Sequence, residues 1–266
     1  MNYPKVSIVT PSFNQAPFLE KTILSVLDQN YPNLEYIIID GGSKDGSIDI
    51  IRKYEKKLSY WVSEQDAGQS EALNKGFAKA TGEIFAYLNS DDLYLPGTLN
   101  KVAYFFSKKL KADIVYGHAQ IINEQDEIID VIVSLPYKLK EQLNGVFSIP
   151  QQSSFWKCSV FNAVGGFNVE NNTCMDGEFF ANAGARDYNF YRIDKVLSKF
   201  RIHSQSKTGK LNSKIKLDYP IDLSKFISNI SKKNKIPVNA YLNYWYRLKY
   251  IPIKTLSKLR ISENQS

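Results

Sequence analysis

Two adjacent carboxylates, Asp91 and Asp92, end the run Asn89-Ser90-Asp91-Asp92 directly after a short apolar segment, residues 84–88. Two neighbouring negative charges are costly to hold beside a hydrophobic core unless a cation offsets them. Mg²⁺ and Mn²⁺ prefer oxygen ligands and commonly bridge protein carboxylates to substrate phosphates. The pair therefore predicts a divalent-metal site that takes a nucleotide diphosphate. The alternative is that one of the two caps the helix predicted after Pro96.

Polar residues also follow three earlier apolar segments. They are Thr10, Pro11, Ser12 and Asn14 after the first, Asp40 to Gly46 after the second, and Glu64, Asp66 and Gly68 after the third. Each group alone has the composition of an ordinary turn or helix cap. The glycines at 41, 42 and 46 match neither the dinucleotide-binding nor the Walker A spacing. A carboxylate placed like Asp40 can instead hydrogen-bond a nucleobase or a ribose.

The second half of the chain holds further candidates. Asp176 and Glu178 precede an apolar stretch, and either has the chemistry of a general base that takes the proton of an acceptor hydroxyl. Both equally suit the first turn of a helix, where acidic side chains are favoured. His203 has neighbours suited to phosphate contact, namely Arg201, Ser206, Lys207 and Thr208. A lone histidine is more often structural, which is the prediction for His118.

Strand and helix patterns alternate through the first hundred residues. Apolar segments at 5–10, 36–39, 60–62 and 84–88 predict strands, and the stretches 18–29, 48–54, 70–80 and the one after Pro96 predict helices. This alternation predicts an α/β fold with a parallel sheet. Ligands bind beyond the carboxyl ends of such strands, so the four polar groups are expected at one rim.

The pattern changes after residue 112. Residues 112–116, 119–123 and 128–133 predict hairpin strands, with a polar turn at 124–127, and residues 139–200 are mixed. A polar loop over 203–214 and helices over 221–231 and 238–250 are expected beyond them.

Composition favours one large globular α/β domain, with or without an appendage. The 266 residues are 43% hydrophobic, and two cysteines are too few for a disulfide framework or a zinc cluster. A reducing, cytoplasmic compartment fits, and neither a signal peptide nor a membrane-spanning run is visible. Residues 201–266 carry 14 Lys and Arg against 3 Asp and Glu, whereas residues 1–200 carry 20 against 24. This basic quarter is either an anion-binding surface or a solvated tail.

Four motifs resemble family 2 glycosyltransferases, which have the GT-A fold. They are residues 6–14, 39–47, 64–76 and 88–97. The similarity is patchier but present at 149–152, 164–167, 175–176 and 200–208. Past about residue 210 no resemblance is evident. The resemblance implies a GT-A domain over 1–208, with a nucleotide-sugar half at 1–111 and an acceptor half at 112–208, and a basic, helical extension at 209–266.

The resemblance also implies an activity and roles for residues. It implies inverting transfer from a nucleotide sugar, most often a UDP-sugar, to a glycan or lipid-linked acceptor, as in bacterial O-antigen and capsule synthesis. Asp176 matches the base and therefore ranks above Glu178. Asp91, Asp92 and His203 match the site of Mn²⁺ or Mg²⁺. The expected nucleotide-sugar contacts are Thr10, Pro11, Asn14, Asp40, Ser43, Asp66, Gly68, Asn74, Asn89 and Ser90.

Three departures from the family pattern and two rival functions remain. Asn89 occupies the first acidic position of the metal motif, Leu73 replaces an arginine common in relatives, and Gly177 stands where an aromatic residue is frequent. Gly177 accordingly predicts a roomier acceptor site. A non-catalytic nucleotide-sugar-binding subunit is one alternative. A nucleotidyltransferase is less favoured, because the loop after the first strand lacks glycine. The partners expected are the donor, the acceptor and an anionic membrane surface touching residues 209–262, without nucleic acid.

Overall fold

The computed structural model describes residues 3–147, 149–171, 173–206 and 215–239, together with Leu242, Lys249 and Ile261. Within this part of the chain nine strands join into one sheet. They are β1 (Val6–Ser12), β2 (Leu34–Asp40), β3 (Tyr60–Ser63), β4 (Ile84–Tyr87), β5 (Leu93–Tyr94), β6 (Ile114–Ile122), β7 (Ile128–Ile132), β8 (Ser154–Lys157) and β9 (Phe190–Arg201).

Eight helices accompany these strands in the described residues. They are α1 (Ala16–Leu27), α2 (Ser47–Tyr54), α3 (Gln69–Lys79), α4 (Thr98–Lys108), α5 (Leu139–Leu143), α6 (Cys158–Val164), α7 (Met175–Gly184) and α8 (Ile215–Asn234). Two short 3-10 turns, Glu55–Lys57 and Gln151–Ser153, complete the regular structure.

The predicted parallel unit forms the first half of the sheet. The strands lie in the order β3-β2-β1-β4, and every pairing among them is parallel. All seven residues of β1 are buried, because helices cover both of its faces. Val6 and Ile8 pack toward α1, and Val9 packs toward α3, where Gly76 has no side chain and lets the helix approach closely. The carboxyl ends of the four strands therefore share one edge.

The second half of the sheet mixes strand directions. β8 lies antiparallel between β4 and β6, β6 runs parallel to β9, and β5 and β7 are antiparallel additions. The predicted α/β architecture, a mostly parallel sheet flanked by helices with an antiparallel extension, is confirmed.

One predicted hairpin is wrong. Residues 112–116 and 119–123 do not form two strands, because β6 runs continuously through Gly117 with an irregular register on either side of His118. A Cβ atom at Gly117 would lie 2.6 Å from the carbonyl oxygen of Lys195. The glycine permits close approach of β9 and marks no turn.

The C-terminal region packs on the sheet domain through α8. This helix contains the helix predicted over 221–231, and its buried Phe226 and Ile230 contact Leu143, Cys174 and Ala181. Most of the helix predicted over 238–250, and residues 207–214 of the predicted loop, lie outside the described residues. None of the described helices is long and apolar enough to cross a membrane.

Candidate functional site

A buried carboxylate organises the loop after β2. Asp40 is fully buried and accepts hydrogen bonds from the backbone N–H groups of Gly42 at 3.1 Å and Ser43 at 2.8 Å. The hydroxyls of Ser43 and Ser63 donate to the same carboxylate at 2.5 and 2.7 Å. Because its oxygens are engaged by protein groups, Asp40 shapes this loop and ties it to the end of β3.

Asn14 connects this network to the loop after β1. Its backbone N–H donates to the Ser43 hydroxyl at 2.8 Å, and its side-chain oxygen accepts from the N–H of Lys44 at 3.0 Å. Asn14 has a φ of 51°, a left-handed conformation that asparagine tolerates better than most residues. Asn14 is exposed, so the joined loops present it at the rim.

Asp66 lies against the same loop from the β3 side. A Cβ atom at Gly41 would come within 2.9 Å of Asp66 Oδ2, so only glycine leaves that carboxylate where it is. The N–H of Gly68, just before α3, donates to Asp66 Oδ1 at 2.9 Å. Partial burial raises the pKa of Asp66 above its usual range. A partly exposed carboxylate thus stands beside the Asp40 loop.

Three other residues predicted to contact the nucleotide sugar pack against strands and loops of the protein itself. The buried hydroxyls of Thr10 and Tyr36 lie 3.0 Å apart, and Pro11 is buried within β1. Asn74 exchanges two hydrogen bonds with the backbone of Phe167, at 2.8 and 2.9 Å. Their side chains brace strands and a loop, and their roles toward a nucleotide sugar stay predictions.

Asn89 lies at the centre of an amide cluster. Its oxygen accepts from Gln69 at 2.6 Å, and its nitrogen lies 3.3 Å from Asp92 Oδ2 and 3.5 Å from Gln151 Oε1. Ser90 beside it is buried. Sequence reasoning assigned no role to Gln69 or Gln151, because nothing in their local spacing indicates that they meet.

The structure separates the two adjacent carboxylates. Asp92 is fully buried, and its Oδ1 accepts the backbone N–H of Arg201 at 2.9 Å. Burial, and next the charge of Asp91, raise the pKa of Asp92 well above its usual range. The Asp91 side chain keeps 16% exposure, and its Oδ2 lies 3.0 Å from Nε2 of His203. Asp91 is therefore the carboxylate with access to a ligand.

His203 joins Asp91 from the loop after β9. Its side chain is buried, and its ring packs on Phe18 with centroids 4.5 Å apart. In the described residues no three His, Cys, Asp or Glu side chains are placed to hold a metal together. A carboxylate oxygen and an imidazole nitrogen still supply two suitable ligands, and a substrate diphosphate can supply others.

Arg201 braces this corner from inside. Its Nε donates to the carbonyl oxygen of Asp91 and its Nη1 to that of Asn123, both at 2.9 Å. Nη1 also lies 2.6 Å from Asp126 Oδ1, and the guanidinium covers the Phe18 ring. The prediction that Arg201 contacts phosphate is wrong, because its side chain is completely buried and its Nε and Nη1 donate to protein oxygens.

Two residues predicted beside Arg201 as phosphate contacts, Lys207 and Thr208, lie outside the described residues. Ser206 is buried, and its hydroxyl donates to the carbonyl oxygen of His203 at 2.8 Å.

Asp176 reaches the same end of the sheet on the first turn of α7. The Ser70 hydroxyl, at the start of α3, lies 2.7 Å from the sulfur of Met175. Burial raises the pKa of Tyr87 well above its usual range, and the charges of Asp176 and Asp92 raise it further.

Asp176 lines a cavity of about 220 Å³. Its lining consists of Tyr137, Gln142, Phe147, Ile149, Thr173, Cys174, Asp176, Gly177 and Phe180. Glu178 does not line it and instead accepts hydrogen bonds from Asn168 at 3.2 Å and Asn171 at 2.7 Å. Only one of the two base candidates thus faces this space.

His118 is structural, as predicted. It is buried in β6, its Nδ1 accepts the backbone N–H of Ser134 at 3.0 Å, and its Nε2 lies 2.9 Å from Asp194. Burial lowers the pKa of His118.

Known sequences resemble this chain. The model of the family described as glycosyl transferase family 2 matches residues 7–163. An uncharacterised glycosyltransferase of Mycobacterium tuberculosis is 31% identical over 185 residues, which cover 68% of this chain and 69% of the relative. The putative teichuronic acid biosynthesis glycosyltransferase TuaG of Bacillus subtilis is 34% identical over 154 residues, covering 55% of this chain and 61% of TuaG.

Solved structures share the fold at low identity. The S. aureus TarS 1–349 complex with UDP-GlcNAc has a TM-score of 0.62 at 16% identity, covering 85% of this chain and 72% of that one. The mannosyltransferase PcManGT from Pyrobaculum calidifontis, in complex with GDP-Man and Mn²⁺, has a TM-score of 0.60 at 16% identity, covering 97% and 84%. This chain spans 43% of a longer TarS structure. These similarities identify the GT-A fold.

Proposed function

The chain belongs to glycosyl transferase family 2, and on this premise we propose that it transfers a sugar from a nucleotide sugar, by preference a UDP-sugar, to an acceptor hydroxyl with inversion. The acceptor is a glycan or a lipid-linked sugar of bacterial surface polysaccharide. The relationship to TuaG supports this setting. The observation that carries the proposal is the shared rim: the Asp91–His203 pair follows β4, and the first turn of α7, which carries Asp176, contacts the start of α3 through Met175 and Ser70.

The joined loops after β1, β2 and β3 hold the nucleoside. Of the residues predicted to contact the donor in these three loops, Asp66 and Asn14 have side chains with exposed surface, so they make direct contacts. Asp40 acts through the loop that it organises, since its carboxylate is engaged by Ser43 and Ser63. Ser43, Gly68 and the Asn89–Ser90 backbone line the path from nucleoside to diphosphate. The UDP-GlcNAc bound by TarS supports a uridine nucleotide, whereas PcManGT binds GDP-Man.

Asp91 and His203 would hold Mn²⁺ or Mg²⁺. When bound, the ion supplies positive charge that stabilises the departing diphosphate. Asp92 contributes from the interior by fixing the backbone of Arg201 and thereby the position of its neighbour Asp91. This assignment chooses between the two carboxylates that the sequence left equivalent.

Asp176 acts as the general base. The acceptor oxygen forms a bond to the anomeric carbon, and the bond from that carbon to the diphosphate oxygen breaks. The acceptor proton passes to Asp176, and the nucleoside diphosphate leaves with the bonding electrons. Attack on the face opposite the leaving group inverts the anomeric centre.

The basic extension supports contact with an anionic membrane surface. Four lysines in and just after α8 are exposed: Lys225, Lys232, Lys233 and Lys235. Clustered lysines near anionic lipid each contribute on the order of 1 kcal/mol. Co-sedimentation at low salt is expected with vesicles containing phosphatidylglycerol and not with phosphatidylcholine alone. Equal binding to both would contradict this part, which includes a location at the cytoplasmic membrane face.

Turnover measurements test the reaction. UDP-, GDP- and dTDP-sugars are incubated with the purified protein and Mn²⁺, and nucleoside diphosphate release is measured with and without acceptor glycosides. We expect Asp176→Asn to lower turnover by roughly 10²–10⁴-fold with unchanged nucleotide affinity, and Glu178→Gln, the matched control, to have little effect. Wild-type protein that turns over none of these donors, while still binding one, would favour the non-catalytic binding subunit.

Metal titration tests the assignment of the carboxylates. Asp91→Asn is expected to raise the Mn²⁺ concentration needed for half-maximal turnover by at least tenfold. Asp92→Asn keeps an oxygen for the Arg201 N–H and is expected to shift it much less. The reverse order of effects would overturn the choice of Asp91.

A further inference from the structure

Helix α8 lies behind one wall of the cavity beside Asp176. Three of the residues that line the cavity, Thr173, Cys174 and Gly177, also lie against α8. Cys174 belongs to the same buried cluster as Phe226 of α8, and a Cβ atom at Gly177 would lie 3.8 Å from the Phe226 ring. The C-terminal helix and this wall of the cavity therefore pack against each other.

One hydrogen bond joins α8 to the segment that leads into α7. The hydroxyl of Thr173 donates to Asp222 Oδ2 at 2.8 Å, and both side chains are partly buried. Hydrogen bonds to a carboxylate are roughly twice as strong as those between neutral groups. Cys174, the N-cap residue of α7, separates Thr173 from the first helical turn, which carries Asp176. Asp222 therefore fixes the point from which that turn starts.

A separate set of contacts ties the other end of α8 to the end of α5. Asn144 is buried, its Nδ2 donates to the carbonyl oxygen of Pro237 at 3.1 Å, and its Oδ1 accepts the N–H of Asn239 at 3.1 Å. A helix rises 1.5 Å per residue, so Asp222 and the last residue of α8, Asn234, lie about 18 Å apart along the helix. The contacts of Asn144 and of Asp222 therefore hold opposite ends of one helix.

We propose that Asp222 is a positioning residue for acceptor transfer: by holding Thr173, it places the first turn of α7, and with it Asp176, at the wall of the acceptor cavity. This inference rests on the proposed function, and it gives the C-terminal helix a part in the acceptor site. Loss of the hydrogen bond is expected to impair transfer to an acceptor more than hydrolysis of the donor, because attack by water does not require an acceptor to be seated in the cavity.

Variants of the two partners test this role. Asp222→Ala and Thr173→Val each remove the hydrogen bond, whereas Asp222→Asn keeps an oxygen that accepts from the Thr173 hydroxyl. The ratio of transfer to hydrolysis is measured with the best donor of the nucleotide-sugar panel, Mn²⁺ and methyl glycosides of glucose, galactose, mannose and N-acetylglucosamine. Each removal is expected to lower the ratio by roughly tenfold, the effect of losing one hydrogen bond. The double variant is expected to lower it no further, and Asp222→Asn to keep it near the wild-type value.

The thiol of Cys174 gives a readout that does not depend on turnover. Cys174 is buried, and burial raises the pKa of its thiol to about 11, so it is expected to react slowly with iodoacetamide in the folded protein. In a Cys158→Ser background, Asp222→Ala is expected to speed this labelling by roughly tenfold, because the segment before α7 loses one hydrogen bond. Asp222→Asn removes the same charge but keeps the acceptor, so its labelling is expected to stay close to the background rate.

Asn144→Ala is the matched control for the attachment of α8. It removes the contacts at the other end of the helix, so it is expected to lower the urea midpoint at least as much as Asp222→Ala does. The transfer-to-hydrolysis ratio and the labelling rate of Cys174 are expected to stay at their wild-type values in this control.

Unchanged labelling of Cys174 in Asp222→Ala would overturn the inference, as would an equal rise in Asn144→Ala or an unchanged transfer-to-hydrolysis ratio in Asp222→Ala. Failure of the proposed function has a different signature, because then no nucleotide sugar is turned over. In that case, or if no glycoside of the panel accepts the sugar, the labelling of Cys174 still decides whether Asp222 positions the turn that carries Asp176.

Discussion

Arg201 is expected to stabilise the loops that carry Asp91 and His203, the proposed metal ligands, and Arg201→Met tests this. Methionine retains most of the buried volume and removes the guanidinium. The carbonyl oxygens of Asp91 and Asn123 then lose their donors, and Asp126 loses one of its two cationic partners. Leaving a buried acceptor unsatisfied costs about 1–3 kcal/mol. Because the two hydrogen bonds are only partly buried, each carbonyl is expected to cost about 1–2 kcal/mol, which gives a destabilisation of about 2–4 kcal/mol.

Lys21→Met is the matched control. Lys21 is the other partner of Asp126, but its side chain is 54% exposed. Exposed ion pairs contribute about 0–1 kcal/mol, so this variant is expected to change stability little. Both variants remove one cation from Asp126, and only Arg201→Met releases the backbone of Asp91.

Urea unfolding followed by circular dichroism measures the difference. With equal m-values, the midpoint of Arg201→Met falls below that of Lys21→Met, and its Tm falls by roughly 4–16 °C for a chain of this size. The Mn²⁺ requirement for turnover is expected to rise in Arg201→Met only, because Asp91 loses its support. Stabilities within about 1 kcal/mol of each other, or equal Mn²⁺ requirements, would refute the reasoning.

Two further predictions concern the pH dependence of stability at Glu35 and the contact between Gly41 and Asp66. Burial by itself would raise the pKa of Glu35. Hydrogen bonds from Lys5, Ser7 and Thr81 nevertheless hold this pKa at about 2. A carboxyl whose pKa is lower in the folded protein stabilises the fold at pH values above its pKa in the unfolded chain. This contribution, roughly 3 kcal/mol, is lost as the pH falls from about 4.5 toward 2. Glu35→Gln should therefore show a shallower loss of stability over that window, and an equally steep one in urea titrations would contradict the assignment. Gly41→Ala should displace the Asp66 carboxylate and weaken UDP binding while changing the free energy of unfolding by about 1 kcal/mol or less, and calorimetry showing wild-type UDP affinity would count against a role for Asp66.

Local sequence patterns were sufficient to predict the family and the strands and helices of the first half of the sheet. Strands such as β1 and β2 are short apolar runs bounded by turn residues, and their alternation with helices predicts parallel pairing and a shared rim. These signals depend on neighbours in the sequence, so a single chain carries them. The proximity of the polar groups after β1, β2 and β3 follows from them.

The same local signals fail where long-range contacts decide. Gly117 has the appearance of a turn residue, yet it lies within β6 because the carbonyl of Lys195 on β9 needs the space. β9 itself was not predicted, since its pattern of buried and exposed residues is irregular. Nothing within a window of neighbouring residues indicates either contact.

The candidate site likewise combines residue types that are visible in the sequence with contacts that form only in the fold. The residue types of Asp91 and Asp92 predicted a metal–diphosphate site, whereas the choice of Asp176 as base and of His203 as a metal neighbour came from the family resemblance. Asp91 and Asp92 are chemically identical neighbours, and no property of the chain around them ranks one above the other. Tertiary packing distinguishes them, because the N–H of Arg201, 109 residues away from Asp92, takes one carboxylate into the interior while His203 faces the other.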